Sequence, residues 1–415
     1  MPCAMLDLIV VGGGASGLMA AIAAAKAGKS VLVLEKTDRC GKKLAITGKG
    51  RCNITNAEPI DDFYGHFGKN GLFLKDAFKT LDNKALEAFF HHLGLMTVTE
   101  RGGRVFPESQ KAGDVLQALL DYAWDLGVTI KKNSRCSTFV QDEETKEIKA
   151  VLLEDGTKYC AKNYLLACGG ASYPLTGSDG DGAKLAQKLG HTIVPLRPAL
   201  VPLVVEGDLA SRFQGVSLKN VRASLLVNGK NKKSFFGEML FTHFGLSGPI
   251  ILSLSEEAGL YLEKGAKVAV SVDLKPALTM EQLELRLLRE ISSLGAKHAK
   301  ALLKELLPAK MIEPCLADLN LSDKKTVSQI DQKTRKALRL WLKELIFPIS
   351  ATRPLKEAIV TAGGVKLKEI DPTTMRSKIV PNLLVTGELL DLAADTGGYN
   401  LQAAFSTGYL AGSKL

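Results

Sequence analysis

The chain has 415 residues, 46% hydrophobic and 24% charged, a composition that is ordinary for a globular protein and excludes a fibrous or disordered one. Its length exceeds the ~100 to 200 residues of a typical domain, so two or three domains are expected. No apolar stretch reaches the ~18 residues of a membrane span, and the first residues lack the features of a secretory signal.

The formal charge of +10 is concentrated in the middle of the chain. Residues 196–350 hold 23 basic and 16 acidic groups, against 24 and 22 in residues 1–195 and 7 and 6 in residues 351–415. A basic module can steer phosphate-rich partners, RNA above all, towards a cleft. A solvated helical face rich in Lys would give the same count.

Cysteine and histidine spacing argues against structural cross-links. The seven cysteines include no C-x-x-C pair and are an odd number, which disfavours a disulfide framework or a zinc ribbon. We therefore expect a reducing cytoplasm. The histidines form no ligand spacing with cysteines or carboxylates, so no metal is predicted.

The first predicted elements form a βαβ unit. Residues 7–35 read as an apolar strand, a glycine turn, an Ala-rich helix and a second apolar strand that ends in an acid. The continuous apolar run Val31 to Leu34 fits a strand buried on both faces of a parallel sheet. Later strand-like runs at 128–131, 150–153 and 164–167 would extend or flank that sheet.

The pattern then changes twice. From about Pro195 to Leu274, short alternating runs between Gly, Asn and Lys turns predict an antiparallel β module, a small barrel or sandwich. From Thr279 to Ile346 the apolar residues take helical spacing. After Pro354 glycine turns and a buried-strand run return, which predicts that the first domain resumes.

Gly12, Gly14 and Gly17 form G-x-G-x-x-G directly after a strand and at the start of a helix. In this pattern the glycines permit a tight turn, close backbone approach to a pyrophosphate and close helix–strand packing. Glu35 lies near the spacing expected for an acid on a ribose 2′-OH, and its charge would repel a 2′-phosphate. FAD or NAD is therefore expected rather than NADP. No second such unit follows, and the remaining motifs favour an extended FAD.

The loop after the second strand, residues 41–56, places the basic residues Lys42, Lys43, Lys49 and Arg51 among three glycines and suits phosphate or ring contact. Its string Thr-Gly-x-Gly-Arg-Cys-Asn-x-Thr-Asn at 47–56 resembles the YhiN/BaiN-like, or aminoacetone-oxidase-like, bacterial NAD(P)/FAD-dependent oxidoreductases. Matching strings at 171–182, 240–249, 360–365 and 397–408 extend the resemblance from end to end.

The resemblance implies an α/β fold in three parts. These are a Rossmann-like two-dinucleotide-binding-type FAD domain in two segments, 1–195 and 351–415; an inserted antiparallel β-barrel, 196–275 plus part of 325–350; and an inserted helical subdomain, 276–330. It also implies a second FAD motif at 383–388, a glycine turn at 167–170, and a helix opening at 397–400 towards the flavin. One departure precedes that helix, because Ala393-Ala394 stand where Asp-Gly is usual in the family.

The expected cofactor-binding residues come from all of these motifs. They are Gly12, Gly13, Gly14, Ala15, Ser16, Gly17, Glu35, Lys36, Lys42, Lys43, Thr47, Gly48, Arg51, Cys52, Asn53, Cys168, Gly169, Gly170, Gly387, Glu388, Gly398, Tyr399, Asn400, Leu401 and Gln402.

Cys52 and His243 are the candidate catalytic residues. Reduction of a uracil C5=C6 bond needs a hydride on one carbon and an acid for the other. The thiol of Cys52 is one such acid, although its basic neighbours should lower its pKa and leave less neutral thiol; packing under the flavin is the competing role. His243 is the alternative donor, because histidine ordinarily titrates near pH ~6.5.

Family members are linked to reduction of a uridine in large-subunit ribosomal RNA, oxidation of small amino-ketones, and a reductive step on bile acids. The first hypothesis is an FAD-dependent reductase of a uridine in 23S ribosomal RNA, with NAD(P)H as a transient electron donor and the basic inserts contacting RNA. The second is a small-molecule flavin oxidase or enone reductase. The third is a non-catalytic flavin-containing RNA-binding factor. The sequence leaves the oligomeric state undetermined.

Overall fold

A computed structural model describes residues 5–415, so that Cys3 lies outside the described residues. The strands, in chain order, are β1 Leu6–Val11, β2 Val31–Leu34, β3 Thr55–Asn56, β4 Thr97–Thr99, β5 Arg104–Pro107, β6 Thr129–Lys131, β7 Cys136–Gln141, β8 Ile148–Leu153, β9 Lys158–Tyr159, β10 Ala161–Leu166, β11 Ile193–Ala199, β12 Leu203–Val205, β13 Ser217–Val227, β14 Lys230–Phe241, β15 Gly245–Ser247, β16 Val268–Asp273, β17 Leu345–Thr352, β18 Val360–Val365 and β19 Leu383–Val385. The helices are α1 Ala15–Lys26, α2 Lys42–Gly50, α3 Ile60–His66, α4 Lys75–Thr80, α5 Asn83–His92, α6 Ala112–Asp125, α7 Asp181–Lys188, α8 Pro249–Glu263, α9 Met280–Leu294, α10 Ala299–Leu306, α11 Ala309–Asp318, α12 Gln332–Lys343 and α13 Tyr399–Ser413.

The chain divides into two compact units. One is discontinuous and comprises the residues up to Ala199 together with Leu355–Leu415; the other, Leu200–Pro354, is continuous and contains a barrel. The boundaries between the units, at residues 199 and 354, each lie four residues beyond the expected 195 and 350. The first boundary is shifted because β11 continues to Ala199, where it pairs with Val360 of β18. We call them the discontinuous unit and the barrel unit.

A parallel sheet forms the centre of the discontinuous unit. Its strand order is β19-β10-β1-β2-β6, and every neighbouring pair is parallel. The strands β2 and β19 are buried along their whole length, as expected for a sheet covered on both faces. Because all strands point the same way, their carboxyl ends meet at one edge, where the order reverses around β1.

Helices α1 and α13 pack closely beside this sheet through small residues. A Cβ atom on Gly408 would lie 2.2 Å from the backbone oxygen of Ser16, and one on Gly412 would lie 2.1 Å from that of Ala20. Both distances are shorter than any real contact, so only glycine allows the two helices to approach this far. The first and last helices of the unit are thereby joined, although the barrel unit separates them in sequence.

Smaller antiparallel sheets complete the discontinuous unit. Strands β7, β8 and β9 form one sheet, β3, β5 and β4 a second, and β11 with β18 a third. The run predicted at 150–153 therefore belongs to a flanking sheet, whereas the run at 164–167 lies in β10, at the centre of the parallel one.

The barrel unit contains a closed barrel with the strand order β12-β15-β14-β13-β16-β17. Of the two alternatives that the residue pattern left, a barrel and a sandwich, the barrel is therefore present. Its core includes a cluster of aromatic rings from Phe213, Phe241 and Phe347. Helices α9 to α12 follow the apolar spacing seen in the sequence, and α9 begins with a capping box between Thr279 and Gln282. The helical part runs to Lys343, beyond the expected bound of 330.

Candidate functional site

The glycine turn between β1 and α1 has the geometry that the sequence predicts for a phosphate loop. Gly12 has a φ of +110°, and a Cβ atom there would lie 2.5 Å from the carbonyl oxygen of Ala167. A Cβ atom on Gly17 would lie 2.0 Å from the oxygen of Gly12, whereas one on Gly14 would meet nothing within 4 Å. Space therefore remains at the start of α1, which has no side-chain cap and no acid in its first turn. Such a helix end suits an anion.

Glu35, at the end of β2, faces this turn. Its Oε2 accepts a hydrogen bond from the amide of Gly13 at 3.0 Å, and its Oε1 accepts one from the amide of Thr37 at 2.8 Å. The side chain is buried. The carboxylate is therefore held at the carboxyl edge of the sheet with lone pairs left for a ribose hydroxyl.

The motif at 47–56 has an unusual backbone. Lys49 and Cys52 adopt left-handed conformations, with φ of +60° and +61°, beside the left-handed Gly48 and Gly50. Non-glycine residues held in this region cost free energy and cluster at functional sites. The surrounding structure fixes this loop, because the amide of Cys52 donates to the oxygen of Thr47 at 3.0 Å.

Cys52 itself is fully buried in the core of the discontinuous unit. Burial raises the pKa of its thiol to about 12, so the expectation of a lowered pKa is wrong. The physical reason lies in the neighbouring Arg51, which is directed elsewhere: its Nη1 lies 2.7 Å from Oε1 of Glu100, and its guanidinium carbon lies 4.1 Å from the ring centroid of Phe106.

The same motif contacts the start of α13. The side-chain amide of Asn56 donates to the oxygen of Gly397 at 3.1 Å, and the hydroxyl of Thr55 donates to Oε1 of Gln402 at 2.6 Å. Gly398, the N-cap of α13, has a φ of +107°, and a Cβ atom there would lie 2.4 Å from the oxygen of Thr55. Two predicted flavin-contacting motifs, far apart in sequence, therefore meet at an uncapped helix end.

The loop before α13 departs from the family pattern at Ala393 and Ala394, yet it is well held. The amide of Ala394 donates to Oδ1 of Asn400 at 2.9 Å, and Nδ2 of Asn400 donates back to the oxygen of Ala394 at 3.0 Å. Alanine is therefore accommodated in this loop, and Asn400 has a structural contact within the protein.

The Thr47–Asn56 motif contains a buried polar atom without a partner. The side-chain oxygen of Asn53 is buried and accepts no hydrogen bond from the described residues. Buried amide oxygens are almost always satisfied, so this atom fits a ligand that carries an N–H donor. Together with the open space at Gly14, it shows that the residues present fit a bound dinucleotide with a heteroaromatic ring.

The expected basic contacts are paired inside the protein. Lys36 Nζ lies 2.5 Å from Asp179, Lys42 Nζ lies 2.5 Å from Asp38, and Arg51 binds Glu100 as described. Lys49 is exposed and has no carboxylate partner among residues 5–415. The basic residues were identified from the sequence, but their acidic partners became known only from the structure.

Lys43 is part of a network that joins both segments of the discontinuous unit. Its Nζ lies 2.6 Å from Oε2 of Glu388 and 2.7 Å from the hydroxyl of Ser172. The second oxygen of Glu388 accepts from the amide of Thr361 at 2.8 Å. Glu388, expected near the ribityl chain or the phosphates, is thus anchored beside the glycine turn that contains Gly170.

Gly387 lies beside the start of α1. A Cβ atom there would lie 2.8 Å from the hydroxyl oxygen of Ser16, and that hydroxyl is 2.7 Å from Oγ1 of Thr386. The amide of Gly387 donates to Oγ1 of Thr407 at 3.1 Å. The second predicted FAD motif therefore contacts the first.

Sequence reasoning missed one cluster of titratable groups. Nε2 of His66 lies 2.8 Å from Glu58, its Nδ1 lies 3.2 Å from Asp395, and its ring stacks on Tyr399 with centroids 3.8 Å apart. Burial alone would lower the pKa of His66, but the hydrogen bond to Asp395 and the charge of Glu58 raise it overall. No spacing signal exists for partners 329 residues apart.

His243 lies in the barrel unit, in the turn between β14 and β15, and its side chain is exposed. Its ring centroid is 5.0 Å from that of Phe244, and the adjacent turn is closed by the amide of Thr242 donating to the oxygen of Gly245 at 2.8 Å.

Within residues 5–415, no three His, Cys, Asp or Glu side chains are grouped as a metal site would require. Over the same range, no helix has both the length and the apolar character of a membrane span.

A Rossmann-type fold with a glycine turn at the carboxyl edge of its parallel sheet and a closed barrel insert is the architecture of FAD-dependent oxidoreductases. The chain belongs to the HI0933-like family, since the family model described as HI0933-like protein Rossmann domain matches residues 6–414.

Three relatives are similar over nearly their whole length. A 3-dehydro-bile acid delta(4,6)-reductase of Clostridium scindens is 33% identical over 405 residues, 97% of each chain. A ribosomal RNA dihydrouridine synthase of Haemophilus influenzae is 30% identical, covering 97% of this chain and 96% of the relative. The enzyme of the same name from Escherichia coli is 28% identical, covering 99% and 98%.

A solved structure of 3-ketosteroid delta1-dehydrogenase from Sterolibacterium denitrificans shares the fold, with a TM-score of 0.51, 14% identity and 98% coverage of both chains.

Proposed function

We propose that the protein reduces a uridine of 23S ribosomal RNA to dihydrouridine, with NAD(P)H as the electron donor. In the balanced reaction, uridine, NAD(P)H and one proton give dihydrouridine and NAD(P)⁺. The observation that carries the proposal is the charge of the barrel unit, whose residues 200–354 contain 23 basic and 16 acidic side chains. Such a surplus suits a polyanionic substrate. The names of the two synthase relatives support the same substrate.

The residues of the discontinuous unit would hold the cofactor. The start of α1 would bind the pyrophosphate, Glu35 would bind the adenosine ribose, and the unpaired side-chain oxygen of Asn53 would accept a hydrogen bond from the ring. FAD, once reduced, supplies the hydride for the uracil C5=C6 bond. The start of α13, which has no side-chain cap at Gly398, would supply partial positive charge that favours the anionic reduced form of a flavin bound there.

The proton for the second carbon has two candidate donors. The thiol of Cys52 keeps its proton at neutral pH because burial raises its pKa to about 12. That burial also means that the substrate must gain access to it. The side chain of His243, in the barrel unit, is exposed. A Cys52 thiol acting as the donor would leave the rate flat well above neutrality, because its pKa is raised to about 12.

The first experiment measures flavin oxidation directly. Purified holoprotein is reduced anaerobically with NADH or NADPH and then mixed with ribosomal RNA from cells that lack this protein, or with air. Rapid reoxidation by the RNA with dihydrouridine detected by mass spectrometry is expected, together with slow reoxidation in air. Fast reoxidation by air with no dihydrouridine would contradict the proposal and favour an oxidase.

Variants then separate the donors. If Cys52 donates the proton, Cys52→Ser lowers the reoxidation rate by RNA about 10²- to 10⁴-fold while reduction by NAD(P)H stays unchanged. His243→Asn is the matched variant, and the same loss there would assign the proton to His243. Normal dihydrouridine formation in both variants would exclude both residues as donors.

A second candidate function is reduction of a small enone, favoured by the 33% identity to the bile acid reductase. In both reactions the reduced C=C bond is conjugated with a carbonyl group, so the same site suits either substrate. Rapid reoxidation by a 3-oxo-steroid dienone, with no reaction with RNA, would establish it. If neither substrate reoxidises the flavin while RNA still binds, the third hypothesis, a non-catalytic flavin-containing RNA-binding factor, remains.

A further inference from the structure

We propose that the exposed surface of the β13–β14 hairpin is a docking surface for single-stranded RNA. This surface, called the hairpin face, is defined by the exposed residues Lys219, Arg222, Lys230, Lys232 and Phe236. Arg222 and Phe236 share the outward side of the strands, whereas Lys230 lies at the tip of the hairpin, where it pairs with the buried Val227. The inference rests on the proposed RNA substrate but concerns a different part of the molecule from the cofactor site, and it names where the strand lies.

The centre of the hairpin face is an exposed aromatic ring beside a guanidinium. Phe236 is 56% exposed, and it pairs directly with Arg222 across the two strands. Side chains of directly paired residues in an antiparallel sheet project to the same side. The preceding Phe235 points the other way and packs partly against the barrel core, so alternation along β14 accounts for the exposure of its neighbour.

The hairpin face is strongly basic. Residues 217–241 contain five basic side chains and one acidic one, Glu238, which is exposed on the same side of β14 as Phe236. Lys219, Arg222, Lys230 and Lys232 are all exposed and have no carboxylate within ion-pair distance among residues 5–415. This differs from the cofactor region, where Lys36, Lys42, Lys43 and Arg51 each have an acidic partner.

Arg222 also has an acidic neighbour on β16, the strand that pairs with the other edge of β13. Asp273 of β16 pairs with Arg222, but its carboxylate binds Nζ of Lys343 at 2.6 Å. The positive charge of Arg222 is therefore not neutralised by a bonded acid, although Asp273 is its register neighbour. The arrangement leaves the guanidinium available for an external anion.

An exposed aromatic ring bordered by unpaired cations fits one chemistry in particular. Single-stranded nucleic acids are bound by aromatic side chains that stack on bases and by cations that neutralise the flanking phosphates. A small apolar substrate would not use four separate cations. A protein partner would need matching acids and a larger apolar area than one ring provides. RNA therefore fits both the ring and the charges of the hairpin face.

The test uses full-length holoprotein and a 5′-fluorescein-labelled single-stranded RNA oligonucleotide, with binding followed by fluorescence anisotropy. Phe236→Ala is expected to weaken binding about 10- to 100-fold, the range for loss of one stacked base. Phe236→Trp should retain binding, because it keeps a stacking surface. The double variant Arg222→Gln with Lys232→Gln should reduce the slope of log K against log salt by about 1.4, since each phosphate contact contributes about 0.7.

Matched controls come from the helical part of the same unit. Leu285 is an exposed apolar residue on α9, and Lys304 is an exposed lysine on α10. Leu285→Ala and Lys304→Gln should leave the affinity within about 2-fold of the original. Equal losses in the hairpin and control variants, or no loss at Phe236, would overturn the proposal. So would self-association that depends on Phe236 without RNA binding, which would assign the face to a second copy of the chain.

Failure of this inference is distinguishable from failure of the proposed function. If the holoprotein forms dihydrouridine and the hairpin variants do so with unchanged kcat/KM for RNA, the docking surface is wrong and the activity stands. If RNA binds through the hairpin face but no dihydrouridine forms, the surface stands and the activity is wrong. Flavin reduction by NAD(P)H should be unaffected by the hairpin variants in either case.

Discussion

Substitution of Gly398 by alanine tests the junction between the Thr47–Asn56 motif and the start of α13. Gly398 has a φ of +107°, a conformation that destabilises the folded state by about 1–2 kcal/mol when the residue carries a side chain. The new Cβ atom would also lie 2.4 Å from the oxygen of Thr55, and backbone on both sides must move to relieve it, at about 1–3 kcal/mol. We therefore expect Gly398→Ala to destabilise the discontinuous unit by about 2–5 kcal/mol.

Gly28→Ala is the matched control, because Gly28 is also left-handed, with a φ of +76°, but its Cβ would meet nothing within 4 Å. It should cost only the conformational part, about 1–2 kcal/mol. Flavin release during urea unfolding reports the discontinuous unit, and the ratio of flavin to protein absorbance reports cofactor retention. If Gly398→Ala retains flavin and unfolds at the same urea concentration as Gly28→Ala, the close approach of the two motifs is refuted.

Three further predictions concern charged groups. Lys43→Met leaves the carboxylate of Glu388 without its cation and should destabilise by about 1–3 kcal/mol in urea unfolding, whereas Lys42→Met, whose acidic partner is exposed, should stay within about 0.5 kcal/mol; equal effects would contradict the network. Because the pKa of His66 is raised on folding, its contribution to stability is fully present below pH ~6.5 and lost as the pH rises through the higher folded-state pKa. His66→Asn should therefore flatten the dependence of the unfolding free energy on pH in that window, and an unchanged curve would exclude the cluster as its source. Glu35→Ala should raise the FAD dissociation constant about 10- to 100-fold, measured by flavin fluorescence, and unchanged affinity would remove Glu35 from the site.

Local patterns in the sequence were enough for the elements of the parallel sheet and the barrel. The glycine turn at Gly12 and the apolar run at Val31 each specify their own conformation through neighbours a few residues away. The residue pattern did not decide between a barrel and a sandwich. Closure of the barrel depends on pairing between β12 and β17, which are far apart in the chain.

The candidate site was predictable as a set of motifs but not as a set of contacts. Tertiary packing brings Glu388 to Lys43 and Asp395 to His66. The partners in each pair are more than 300 residues apart in the sequence. The expected lowering of the Cys52 pKa was wrong for a related reason: the thiol is buried, and the neighbouring Arg51 contacts Glu100 and Phe106 instead. Of the adjacent pair Phe235 and Phe236, only strand alternation in the folded barrel decides which is exposed.

The discontinuous unit begins first in the chain, but its second segment, Leu355–Leu415, is synthesised only after the whole barrel unit. Residues 200–354 are contiguous, so every strand of the barrel has been translated before β19 exists. The start of α1, by contrast, packs at Ser16 against Thr386 and Gly408, which are close to the other end of the chain. A nascent chain therefore contains a complete barrel while its nucleotide site is still half made, and the yellow colour of bound flavin becomes a marker that translation has passed the second segment.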